Sequence, residues 1–183
     1  MKKIYTILFG TLSFISVQAQ NDKSVIKTDF NGNGVVDLFK TNVDVLEMKI
    51  DNINYSIDYG TLECDNIGLG LKNKILILET SMRGTGLYTR IYKFRKSKKT
   101  NQIELIGYDY SFRITQGGNY NLSYNAITGD YEIGIAIPNK KRDGFDGKSY
   151  KGKKVISKIY LSDIKINTLD NLFKIGVEYE QKL

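Results

Sequence analysis

The chain has 183 residues, 41% apolar and 26% charged, values of a globular protein able to bury a sizeable core rather than of a disordered tail. It contains no histidine, which excludes a Ser-His-Asp triad, a Cys-His dyad or a histidine-bound zinc site within the chain. Cys64 is the single cysteine, so no disulfide can form within the chain. In an exported protein it would be a buried, inert thiol or one that pairs between molecules.

Residues 1–19 read as an export signal. Lys2 and Lys3 supply the positive start, an apolar run occupies residues 4–17, and Val17-Gln18-Ala19 is a small-residue cleavage pattern. The run is shorter than the roughly 20 residues of a spanning helix. No other segment is apolar enough to cross a bilayer, and no cysteine follows the run to carry a lipid. The expectation is a periplasmic or secreted protein, without a membrane span, formed by residues 20–183. Loss of Lys2 and Lys3 leaves 25 basic against 20 acidic residues, a net charge of +5.

The next stretch is Asp29-Phe30-Asn31-Gly32-Asn33-Gly34-Val35-Val36-Asp37. Asp29, Asn31 and Asn33 place side-chain oxygens at positions one, three and five. Val35 offers its backbone carbonyl at position seven, and Asp37 stands at nine. Gly34 at position six allows the sharp turn that wraps such groups round one ion. Hard oxygen donors in this order suit calcium. The stretch resembles the calcium loops of FG-GAP/VCBS-type repeats and, more loosely, those of EF-hands and dockerins. The resemblance spans these residues alone and implies a calcium-holding loop, not a propeller. No second copy occurs, and Asp143-Gly144-Phe145-Asp146-Gly147 lacks the spacing. Lys40 stands where an EF-hand carries its bidentate glutamate, which sets the expected affinity at about 10⁻⁴–10⁻³ M, suited to an extracellular site. The plainer reading is an Asn/Gly turn between strands, without metal.

Beyond the loop, apolar and polar residues alternate over 45–59, with Asp51-Asn52 as a turn, so a hairpin is expected. Residues 60–73 read as turn-rich. Lys74-Ile75-Leu76-Ile77-Leu78-Glu79-Thr80 reads as a core strand buried on both faces. Residues 83–86 read as a loop, and a glycine-rich phosphate cradle is not expected there, because the Lys-Ser/Thr ending is missing. Strands follow at 87–94, 103–114, 120–124 and 131–137, closed by Pro138. A loop is expected over 139–154, a strand over 155–166, a helical turn over 169–173 and a last strand over 174–180. About eight strands joined by short turns, with no long amphipathic helix, predict a single all-β domain, an antiparallel β-sandwich or barrel-like fold. Asp37, Asp44, Asp51, Asp58 and Asp65 recur every seven residues, but the apolar period is two, so this spacing is read as coincidence.

Two basic clusters, Arg90 to Lys99 and Lys140 to Lys158, read as solvated loops and edge-strand lysines. Export makes nucleic acid an unsuitable partner and leaves an acidic protein, an anionic glycan or a membrane surface. Tyr108, Tyr110, Tyr120, Tyr124 and Tyr131 read as strand residues rather than a strip that stacks on sugars. The expected function is an exported, non-catalytic binding or structural module stabilised by a weak calcium site, of the class that includes inhibitor and immunity proteins. The alternative is a polysaccharide or cell-wall hydrolase using a carboxylate pair drawn from Glu63, Glu79, Glu104 and Glu132.

Overall fold

The computed structural model describes residues 25–42, 44–82, 88–113, 117–139 and 144–180. The segment expected to be an export signal, the loop expected over 83–86 and Lys140 to Arg142 lie outside them. The described chain is all-β, built from two antiparallel sheets. The first contains β1 (Val25–Thr28), β2 (Asp37–Thr41), β3 (Val45–Ile50) and β4 (Ile53–Asp58), each paired to the next. After a 3-10 turn at Gly60–Leu62 comes a seven-stranded meander of β5 (Asn66–Lys72), β6 (Ile75–Met82), β7 (Tyr88–Lys96), β8 (Ile103–Arg113), β9 (Asn119–Asn125), β10 (Asp130–Asn139) and β11 (Gly144–Lys153). Within each sheet sequential strands pair, so local hairpins set the topology of both sheets.

The β3–β4 hairpin forms at the expected place. Ile50 opposes Ile53, and Asp51 and Asn52 take φ of 53° and 64°, the signature of a two-residue type I′ turn. Asn73 and Lys74 repeat it between β5 and β6, with φ of 50° and 62°. The buried residues of both sheets form one cluster, giving a sandwich-like arrangement. Leu76, Leu78, Tyr92, Phe94, Leu122 and Ile133 come from the large sheet, and Phe39, Leu46, Met48, Ile50 and Ile57 from the small one. The C-terminal helices α1 (Ile166–Phe173) and α2 (Val177–Glu180) cover part of the same face of the large sheet. Phe173 meets the Tyr108 ring, Tyr179 meets Tyr150, and the Tyr120 hydroxyl donates to the Gly176 carbonyl at 3.3 Å.

Five expectations are corrected. Residues 60–73 are not all turn, since β5 occupies 66–72. Gly68 and Gly70 stand on its outer face while Ile67 and Leu69 are buried, and the glycines conceal the alternation. β6 is not buried on both faces: Leu76, Leu78 and Thr80 point in and Glu79 is exposed, because the outer face of an antiparallel sheet can remain in water. The expected loop over 139–154 contains β11, an edge strand registered with β10 over its full length. Its Lys148, Lys151 and Lys153 are the charged edge residues that deter further pairing. Finally, residues 155–166 make only a single bridge, Tyr160 to Glu104, before a 3-10 turn at Leu161–Asp163, and 174–180 is a turn followed by α2. Gly176 at φ 78° breaks the extended path there. A Cβ at that position would stand 2.5 Å from the Ile133 side chain, so glycine also permits the close approach. The helical turn expected over 169–173 is present and extends back to Ile166. No helix of the described residues is long and apolar enough to cross a membrane.

Candidate metal-binding loop

The 29–37 loop joins β1 to β2 at one corner of the small sheet. Gly32 and Gly34 take φ of 77° and 84°, and these left-handed steps turn successive N–H groups inward. The Asp29 carboxylate receives them: Gly32 and Asn33 donate to Oδ1 at 2.7 and 3.0 Å, and Gly34 to Oδ2 at 2.8 Å. Asn33 Oδ1 in turn accepts the Val35 N–H at 2.8 Å. The loop is thus a ring of backbone dipoles closed on one exposed carboxylate. Phe30 anchors it from beneath, buried and edge-on to Phe39 at 6.3 Å.

Asp37 is placed differently. It is wholly buried at the start of β2, on the face that carries Phe39. Its Oδ2 accepts the Phe30 N–H and its Oδ1 the Asp51 N–H, both at 2.9 Å. One carboxylate therefore ties the loop to the β3–β4 turn. Sequence reading missed Asp51, which the register delivers: Leu38 opposes Lys49, so the turn after Ile50 arrives beside Asp37. Asp51 Oδ1 accepts the Asn31 amide at 2.8 Å and also the Asn33 amide. Its Oδ2 accepts Lys96 Nζ at 2.5 Å, which links the corner to the large sheet.

The carboxylates of Asp29 and Asp51 are stabilised from within. The N–H groups of Gly34, Gly32 and Asn33, with the charge of Lys74, hold the Asp29 carboxyl below its usual range. The Lys96 ammonium, with Asn31 and Asn33, does the same for Asp51. A folded-state value below the unfolded one contributes stability that is present above the unfolded carboxyl range, near about pH 3.9. That stability is lost as the pH falls through the depressed folded values. We therefore expect the melting temperature in chelator to stay level from about pH 7 to 5 and to fall below about pH 4. Asp51→Asn should melt lower than the parent at neutral pH and fall less steeply in acid. An equally steep acid fall in that variant would show that Asp51 carries none of the linkage.

The donor set suits a hard cation in type. Asp29, Asn31, Asn33, the Val35 carbonyl and Asp37 all offer oxygen; Asp29 Oδ1 already accepts two N–H groups, whereas Asp29 Oδ2 and both Asp37 oxygens accept one each and retain a lone pair. The amides of Asn31 and Asn33 present nitrogen to Asp51, and a half-turn of each would present oxygen instead. Among the described residues, no three Asp, Glu, Cys or His side chains gather into a metal-binding group. The loop's oxygen donors are instead mixed carboxylate, amide and carbonyl.

The other candidates separate. Glu63 pairs with Arg90 at 3.2 Å, Glu104 with Lys158 at 2.9 Å and Glu132 with Lys151 at 3.3 Å. Glu79 and Glu132 share one row of the large sheet but stand four strands apart, about 19 Å at the usual spacing, beyond the range of a glycosidase pair. Asp109, which sequence reading left out, lies two strands from Glu132 in that row, beside a trough of about 410 Å³ on the outer face. It pairs with Lys93 and accepts the Ser123 hydroxyl at 2.8 Å. Tyr108, Tyr120 and Tyr124 are core residues on the inner face. Arg90 is not a solvated cation but a buried one. Cys64 is half-buried, and burial pushes its thiol up to about 11, which makes it a poor nucleophile.

Fold and loop together define an all-β protein of two antiparallel sheets with an aspartate- and glycine-built loop at one corner. No family model matches the chain, and no curated protein or solved structure matches it.

Proposed function

We propose that this is an exported, non-catalytic binding module, of the kind that engages a protein or glycan, whose β1–β2 loop is held by a weakly bound calcium ion. The observation that carries the calcium reading is the closure of the loop on Asp29, with Asn31 and Asn33 beside it. Asp29, Asn31, Asn33, the Val35 carbonyl and Asp37 would hold the ion, and Asp51 lies close enough to join them through the same two amides. The ion would neutralise and stiffen a corner that otherwise relies on Lys74 and Lys96. A loop whose backbone closes on its own carboxylate suits a clamp rather than a catalyst.

A thermal melt tests it. With 10 mM calcium and a dissociation constant of about 10⁻⁴–10⁻³ M, binding contributes about 1.4–2.7 kcal/mol. That corresponds to a rise of roughly 3–10 °C over the melt in chelator. Asp29→Ala should abolish the rise. Equal melting temperatures in calcium and in chelator would sink the clamp. The hydrolase alternative is favoured by one observation, the trough flanked by Asp109 and Glu132. Turnover of a cell-wall polysaccharide that is lost in Glu132→Gln would put it in place of the binding reading.

A further inference from the structure

A second concave surface lies at the far end of the large sheet. Three rigid pieces enclose a groove of about 550 Å³, within the range of ligand clefts. The first is the β7–β8 turn, where Ser97 donates its N–H to the Gln102 carbonyl at 2.8 Å and Asn101 donates back to the Ser97 carbonyl at 2.9 Å. The second is the β9–β10 turn, where Asn125 Oδ1 accepts the N–H groups of Ile127 and Thr128 at 2.9 and 3.2 Å. The third is the extended crossing after β11, pinned by Lys154 N–H to the Gly129 carbonyl and by Leu105 N–H to the Ile159 carbonyl, both at 2.8 Å. None of these needs a ligand to form.

The lining combines two properties. Arg95, Lys98 and Lys99 are exposed at its rim and take part in no ion pair among the described residues, whereas Lys96 and Lys158 are neutralised by Asp51 and Glu104. Ile127, 62% exposed, and the half-buried Ile156 make an apolar strip beside them, and Val155, 78% exposed, follows on. An apolar strip next to unpaired cations marks a surface meant to be covered. Among the described residues no aromatic ring lines the groove, so the usual platform for a sugar is not seen there. Its concavity suits a chain and not a flat bilayer.

We propose that this groove docks an acidic, extended segment of a partner protein, with carboxylates on Arg95, Lys98 and Lys99 and an apolar side chain on Ile127 and Ile156. The inference rests on the binding-module reading and is independent of calcium. It is tested with the full chain and a fluorescein-labelled ten-residue peptide of alternating glutamate and leucine. A glutamate–serine peptide of equal charge, a heparin hexasaccharide and phosphatidylglycerol vesicles serve as competitors. The glutamate–leucine peptide should bind best and should weaken as salt rises from about 50 to 200 mM. Binding should fall about tenfold in an Arg95→Ser/Lys98→Ser/Lys99→Ser variant and measurably in Ile127→Ser, with both variants melting as the parent does. Unchanged binding by the triple variant overturns the proposal. So does equal affinity for the glutamate–serine peptide, or a preference for the hexasaccharide or the vesicles. Asp29→Ala should keep peptide binding while losing the calcium-dependent melt, so the two readings fail separately.

Discussion

Asp37→Ala should destabilise the fold by about 4 kcal/mol, measured in chelator so that no ion contributes. The carboxylate is fully buried and is the recorded acceptor for two N–H groups, those of Phe30 and Asp51. Removing it leaves the buried Phe30 N–H and the partly buried Asp51 N–H without this acceptor, at roughly 1–3 kcal/mol each. Neither donor can turn to another partner, because Phe30 is pinned against Phe39 and Asp51 sits in the tight type I′ turn. The melting temperature should drop by roughly 8–16 °C. In urea the midpoint should fall without a change of slope, since the surface exposed on unfolding is the same. Asp37→Asn keeps the shape and one acceptor oxygen, so about half the loss is expected. The contrast with Asp29 is the informative part. Asp29 is exposed, and its N–H partners are exposed with it, so water can replace it at the loop's rim. Asp29→Ala should therefore act mainly on the response to calcium, and Asp37→Ala mainly on the chelated protein. A loss below about 0.5 kcal/mol for Asp37→Ala in chelator would show that the β1–β2 loop and the β3–β4 turn are not tied through this carboxylate.

How much of this corner was legible in the sequence follows from where each partner comes from. Asp29, Asn31, Asn33, Gly34 and Asp37 fall within one short stretch, so residue type and spacing suffice to single them out. The β3–β4 hairpin is equally local, because alternation up to Ile50 and from Ile53 leaves only Asp51-Asn52 for the turn. Asp51 as a partner of the loop is not local. It arrives through the β2–β3 register, and in the sequence it is one member of a seven-residue aspartate series that strand geometry gives no meaning. The all-β architecture was legible because most strands alternate. β5 and β11 were hidden because glycine and lysine, the residues of turns and loops, stand on exposed positions of their strands. The C-terminal segment was misread for the opposite reason: its apolar residues suit a strand, but the segment folds back as helix and turn over Tyr108, Tyr120 and Ile133.

Arg90 is the clearest case of a residue whose type misleads about its place, and its replacement should have the second large effect. On β7 it shares the inward face with Tyr92 and Phe94. Its guanidinium lies 4.1 Å from the Phe173 ring centre and 4.6 Å from that of Tyr88. It donates to the Leu62 carbonyl at 3.2 Å and to Glu63 at 3.2 and 3.3 Å. One side chain thus joins the 3-10 turn, the large sheet and α1. Arg90→Ala removes these ties, opens a cavity between rings and leaves the Leu62 carbonyl without this donor. Breaking a buried pair costs about 3–5 kcal/mol. Glu63 is about half exposed and can return to water, so the lower end, about 3 kcal/mol, is expected, a fall of roughly 6–12 °C. We expect the site to depend more on the packing of this side chain than on its charge. Among the described residues, Arg90 Nε and the Tyr92 hydroxyl find no partner of good hydrogen-bond geometry, so the buried guanidinium is incompletely satisfied as it stands. Arg90→Met fills much of the same volume and removes the unsatisfied nitrogen, but it also gives up the Glu63 pair and the Leu62 bond, so roughly half the alanine loss, about 1–2 kcal/mol, is expected. Urea denaturation of the two variants separates packing from charge. If methionine is as damaging as alanine, the ion pair and ring contacts hold this part of the fold together; if methionine is tolerated, arginine serves there chiefly as a long side chain that fills the space between Tyr88, Tyr110 and Phe173.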